Sequence, residues 1–185
     1  WIETSTATNK NGLLDSYIRA IRWSADRLNG NGVIGFITNS SFIDGIAMDG
    51  MRKALLEEFS NIYVINLKGQ IRRRTREQAI VEGGNVFDIM TGVAITLLVK
   101  DEGFSEKGTL HYLDIGDKLS KKEKIEKLSG WKSIASILDD FSEIVPNEKG
   151  DWINQRDSNF DELVKIGDKR SDDALFIDYT GGIKT

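Results

Sequence analysis

Val33-Ile-Gly-Phe-Ile-Thr38 and Asn61-Ile-Tyr-Val-Ile-Asn-Leu67 are the two stretches on which the fold turns. Each is short and nearly continuously apolar, the pattern of a strand buried on both faces. Between them, Met48, Met51, Leu55 and Phe59 recur at helical spacing, which predicts a helix over about 47–59. Strand, helix and strand make a βαβ unit, with parallel strands and a right-handed crossover.

Working outward, Leu13, Leu14, Tyr17, Ile18, Ile21, Ala25 and Leu28 form the apolar stripe of a helix over 13–28, stopped at Gly30-Asn-Gly32. Gly92-Val-Ala-Ile-Thr-Leu-Leu-Val99 predicts a third strand. It follows 68–92, read here as one long polar loop without a crossover helix, so it is expected to run antiparallel beside the other two. Thr109–Ile115 has a mixed pattern and is expected at a sheet edge, followed by helices near Ser120–Leu128 and Trp131–Leu138. The class is α/β.

Composition narrows the chemistry. The 185 residues are 39% hydrophobic and 29% charged, which suits a folded domain and not a disordered chain. No apolar run is long enough for a transmembrane helix, and a cytoplasmic location without membrane contact is the expectation. With no cysteine, disulfides, thiolate metal sites and a cysteine nucleophile are excluded, and the single histidine, His111, excludes multi-histidine metal sites. No metal ligands are therefore assigned.

The net charge of −4 is unevenly placed: 12 acidic and 6 basic residues lie from Asp139 onward. Lys68, Arg72, Arg73, Arg74 and Arg76 put five positive charges into nine residues with no acid among them. A solvated surface loop would account for such a run. The loop is long, however, and leaves the carboxyl end of a parallel strand, where open α/β sheets place ligands. There the five cations suit phosphate contacts. Downstream, Gly83-Gly-Asn-Val-Phe87 sets an aromatic in polar surroundings, where it either joins the core or stacks on a base.

Gly30-Asn-Gly-Val-Ile-Gly35 matches G-x-G-x-x-G but follows a helix and enters a strand. The dinucleotide fingerprint needs the reverse order, so this is a helix stop and a turn. His111 reads as an ordinary strand residue, and Asp139-Asp140 and Asp172-Asp173 as solvated surface.

Four blocks carry a resemblance: Tyr17–Arg27, Gly32–Asp44, Met48–Lys53 and Asp151–Asp157. Together they resemble the methyltransferase region of type ISP restriction–modification enzymes. These are large single-chain bacterial proteins that join nuclease, motor, adenine methyltransferase and target-recognition domains. The resemblance implies the C-terminal half of a Rossmann-like S-adenosylmethionine-dependent methyltransferase sheet. Val33–Thr38 would be its fifth strand, and 62–67 and 93–99 its sixth and seventh, the seventh antiparallel between the other two. It implies residues 1–118 as part of the catalytic domain and 119–185 as an extension toward a recognition domain.

The implied partner is double-stranded DNA. The implied reaction is attack of the exocyclic amine of an extruded adenine on the methyl group of S-adenosylmethionine, without a metal. Phe87, after Val86, matches the family's aromatic that stacks on the extruded base. Asn39 and Ser40 would lie near the substrate cleft, and Lys68, Arg72, Arg73, Arg74 and Arg76 would face the DNA backbone.

The family's glycine-rich cofactor loop and its Asn-Pro-Pro-Tyr tetrapeptide precede the first helix and do not occur in this sequence, whose single proline is Pro146. The resemblance therefore implies a piece of a longer enzyme that neither holds S-adenosylmethionine nor methylates by itself. Val33–Thr38 would then lack a neighbour, and self-association through that edge, or residues 1–12 folded over it, is expected. A stand-alone non-catalytic nucleic-acid-binding or assembly module, and an α/β domain for a small ligand, are the alternatives.

Overall fold

A computed structural model describes residues 1–104, 106–156, 163, 164, 166, 167, 172–176 and 178. Five strands form one mixed sheet: β1 (Gly32–Asn39), β2 (Asn61–Lys68), β3 (Val93–Lys100), β4 (Thr109–Asp114) and β5 (Ser142–Ile144). Their order is β1-β3-β2-β4-β5. β3 runs antiparallel to both β1 and β2, while β2 and β4 pair in parallel. β1 and β2 are thus parallel to each other but separated by β3. The strand expected to run antiparallel between them does so.

Among the described residues four α-helices accompany the sheet: α1 (Ser16–Ala25), α2 (Asp49–Glu58), α3 (Arg76–Glu82) and α4 (Lys121–Gly130). β2 explains the layering. Ile62 and Val64 join the core beneath α1 and α2, with Ile18, Ile21, Met51 and Leu55. Ile65 and Leu67 belong to a second cluster, with Ile115, Ile137 and the partly buried Leu119 and Leu128. A central strand that serves two cores has little use for polar alternation.

Three expectations need correction. Residues 68–92 are not one structureless loop, because α3 lies within them. Its start is fixed by a capping box in which Thr75 Oγ accepts from Gln78 N–H and the Gln78 side chain accepts from Thr75 N–H. None of its residues is buried, so it carries no apolar stripe to betray it. β4 is not the last strand, since the three-residue β5 pairs outside it. The helix expected over 13–28 is a 3-10 turn at Asn11–Leu14 followed by α1.

β1 is the sheet edge, and among the described residues no strand covers its outer side. The N-terminal segment is tied down elsewhere. Asp49 Oδ2 accepts from Thr6 N–H (2.8 Å) and Thr6 Oγ1 (2.6 Å), Asp49 Oδ1 accepts from Gly50 N–H (2.8 Å), and Ser5 Oγ donates to Ala47 O. Arg22 lies over the Trp1 ring, 5.1 Å from its centroid.

Three of the blocks carrying the family resemblance meet in space. Arg52, fully buried on α2, donates through Nε to Gly150 O (2.7 Å), through Nη1 to Phe42 O and Gly45 O, and through Nη2 to Asp151 Oδ1 (3.2 Å). Trp152 packs edge-on against Phe42. Residues Trp1–Asn154 form one compact unit, to which α4 and β5 belong. The second unit is Gln155–Thr185, in which Gly167 and Phe176 form an isolated parallel bridge. Among the described residues no helix is long and apolar enough to cross a membrane.

Candidate nucleic-acid interface

Where β2 ends, Lys68 and Gly69 take left-handed backbone angles, with φ of 56° and 82°. The register against β3 slips between Asn66 and Lys68. Asn66 Oδ1 accepts from Lys68 N–H (3.0 Å) and holds this bulge. The chain thereby swings off the sheet into the arginine segment. Arg73, also left-handed at φ 62°, forms its tip, a conformation uncommon outside glycine.

A cleft of about 200 Å³ opens between this segment and the residues that follow β1. Ser40, Ser41 and Asp44 line one wall, Arg72, Arg73 and Arg74 the other, with Asn66, Gln70 and Glu82 between them. It lies at the carboxyl ends of the parallel strands β1 and β2, where α/β sheets bind ligands. The floor is stitched: Ser40 N–H donates to Gly92 O (2.9 Å), and Gly92 N–H donates to Gln70 Oε1. Asn39 Oδ1 accepts from Ser41 N–H (2.8 Å) and Ser41 Oγ (2.7 Å), capping the turn that presents Ser40 and Ser41.

The five cations are not equivalent. Arg72 and Arg73 have no carboxylate partner among the described residues. Arg74 Nη2 lies 3.6 Å from Glu82 Oε1, a weak pair on the cleft wall. Arg76 opens α3 and does not line the cleft. Lys68 bridges Asp114 (3.1 Å) and Asp117, with only 13% of its side chain exposed. Burial lowers its pKa, but the two carboxylates more than reverse this, and the net shift is upward. Its charge is spent inside the fold.

Phe87 does not line the cleft. It is 56% exposed on the segment leading into β3, and its N–H is held by Asn85 Oδ1 (2.9 Å). The structure thus brings Ser40 and Arg72–Arg74 to one opening and leaves Phe87, Arg76 and Lys68 outside it. Asn66, Gln70, Glu82 and Asn85 were missed by sequence reasoning. Only the three-dimensional arrangement gives those four a common purpose.

Both anchor points of the arginine segment are braced by a buried cation. Lys124, with no exposed surface, donates through Nζ to Leu67 O (2.9 Å) and Glu82 O (2.8 Å). Burial lowers its pKa. Gly69 N–H also donates to Glu82 O (3.2 Å), and Gln70 N–H to Glu82 Oε2 (3.1 Å). A capping box between Ser120 and Glu123 starts α4 and so sets the position of Lys124.

Neither a protein-family model nor a curated protein matches the chain. Solved structures do. Over its whole length the chain is 65% identical to 12% of the ATP-dependent Type ISP restriction–modification enzyme LlaBIII bound to DNA, with a TM-score of 0.95. Over 91% of its length it is 41% identical to 16% of a nuclease-deletion mutant of the Type ISP enzyme LlaGI in complex with a DNA substrate mimic, TM-score 0.83. Over 86% it is 36% identical to 15% of the chain in the DrdV–DNA complex, TM-score 0.75. The chain spans a small part of each of these proteins, and it is homologous to one segment of the Type ISP restriction–modification enzymes.

Proposed function

We propose that this chain is a DNA-facing part of an adenine-specific DNA methyltransferase within a restriction–modification enzyme. In this reading Arg72, Arg73 and Arg74, with Arg76 beside them, contact the DNA backbone. Ser40 and Asn39 border the space for the target base, and Phe87 stacks on the extruded adenine. Lys68 is left out because its charge is already paired. The observation that carries the reading is the cleft in which Ser40 faces Arg72–Arg74 at the carboxyl ends of β1 and β2. The neighbours solved with DNA support it.

S-adenosylmethionine would supply the methyl group in the whole enzyme. The described residues do not fit that cofactor. The G-x-G-x-x-G stretch at Gly30–Gly35 leads into β1 instead of opening a helix, so no helix N-terminal amides follow it. In this reading the cofactor site belongs to other parts of the enzyme, and this chain positions DNA.

The test is the salt dependence of duplex DNA binding. Replacing Arg72, Arg73 and Arg74 together by alanine is expected to lower the slope of log affinity against log salt by about two to three units, one for each phosphate no longer neutralised. An unchanged affinity and slope would make the arginine segment a solvated surface and overturn the reading.

A further inference from the structure

The segment between α3 and β3 is organised by one buried side chain. Asn85 Oδ1 accepts from Phe87 N–H (2.9 Å) and Ile89 N–H (3.3 Å), while its Nδ2 donates to Gly69 O (3.2 Å) and Thr91 O (2.8 Å). Both donors and both acceptor positions of the amide are used. Met90 O in turn accepts from the N–H groups of Ile71 and Arg72, each at 3.0 Å. Asp88 is left-handed at φ 57°, and its carboxylate is paired with Lys121.

A backbone secured at so many points would ordinarily serve to bury its side chains. Here it does the opposite: Phe87, Ile89 and Met90 are all held outward, with Ile89 47% and Met90 59% exposed. Exposed apolar side chains on a firm backbone contribute nothing to the core. The backbone partner of Met90 is Arg72, whose guanidinium has no carboxylate partner among the described residues. The one acid of the segment is neutralised by Lys121. An apolar tip bordered by cations is complementary to a duplex, with its apolar base stack between rails of phosphate.

We propose that Ile89 and Met90 form a wedge that enters the DNA base stack and occupies the position a base leaves, with Arg72 and Arg73 on the adjoining phosphates. The inference rests on the DNA-facing reading and adds a second task to the same surface. Phe87 stacks on the displaced base, and Ile89 and Met90 fill the gap behind it. Apolar side chains inserted between base steps offset the cost of unstacking. A rigid loop can do this, because its own ordering has been completed before DNA arrives.

The test compares a fully paired duplex with the same duplex carrying one abasic position, where the gap exists beforehand. The unmodified chain is expected to bind the abasic duplex about tenfold more tightly, since no base need be unstacked. Ile89→Ser combined with Met90→Ser should bind both duplexes alike, with the salt slope unchanged. Phe87→Ala should retain the preference, because an abasic position has no base to stack. Thermal melting monitored by circular dichroism checks that the double variant folds. If it does not, Met90→Gln, at the most exposed of the three side chains, is expected to show a partial loss of the same preference.

Equal binding of both duplexes by the unmodified chain, or a preference retained by the serine variant, would overturn the wedge. If the arginine variant still lowered the salt slope in that case, the DNA-facing reading would stand alone. Absence of any salt-dependent binding by the unmodified chain would overturn both.

Discussion

Replacing Asp49 by asparagine tests whether a single carboxylate fastens the N-terminal segment to α2. Burial alone would raise its pKa, but the hydroxyls of Ser5 and Thr6 and the N–H groups of Thr6 and Gly50 outweigh that and bring it from 3.8 down to about 2. Its folded-state pKa is depressed, so its contribution is complete well above the unfolded value and is lost as pH falls through the folded one. The shift corresponds to about 2–3 kcal/mol near neutrality and about 1 kcal/mol at pH 2.5. Asparagine keeps one acceptor oxygen for Thr6 but has no charge and no second acceptor for Gly50 N–H. Asp49→Asn is therefore expected to lower the melting temperature near pH 7 by roughly 5–10 °C for a domain of this size. The gap between the two proteins should shrink by about two thirds between pH 5 and pH 2.5. Urea unfolding at a series of pH values measures it. A gap that stays constant across that range would refute the assignment of the stabilisation to the ionised carboxylate.

Asp151→Ala would take a carboxylate away from the buried guanidinium of Arg52, and a loss of about 3–5 kcal/mol in chemical denaturation is expected. Gly83→Ala places a Cβ against Leu119 O at a position with φ of 70° and should cost about 1–3 kcal/mol by the same measurement. Phe87→Ala should weaken binding to a duplex with a mismatched adenine by about 1–3 kcal/mol and leave the salt slope unchanged, because stacking releases no counterions.

The strands were legible because a buried strand writes its burial into consecutive residues, as Ile62–Leu67 and Val93–Val99 do, whereas Val33–Thr38 carries the same apolar run although β1 is an edge strand with Val33 and Ile37 exposed. An antiparallel direction for β3 was expected from the absence of an evident crossover helix, and its place between β1 and β2 from the family resemblance alone. α3 escaped because it lies on the surface without an apolar stripe. Its one local sign, Thr75 three residues before Gln78, is a short motif within an arginine-rich run. β5 has three residues, too few for any periodicity. In the site, the run of five cations was visible, but the withdrawal of Lys68 was not: Asp114 and Asp117 lie more than forty residues further along the chain. Asn85 was equally silent, since nothing about an asparagine after two glycines announces four hydrogen bonds. Local pattern records which faces are buried, whereas the pairing of polar groups across long separations is decided only when the sheet is assembled.

Lys124 has a consequence for motion. By joining Leu67 O to Glu82 O it closes residues 68–81 into a ring whose two feet share one bolt. Thermal excursions of the arginine tip then need not propagate into β2, because the displacement is absorbed between fixed feet. The tip can shift while the sheet beneath it keeps its register. Removing the bolt would release not the arginines themselves but the points about which they swing, so the same charges would be delivered to a wider range of places.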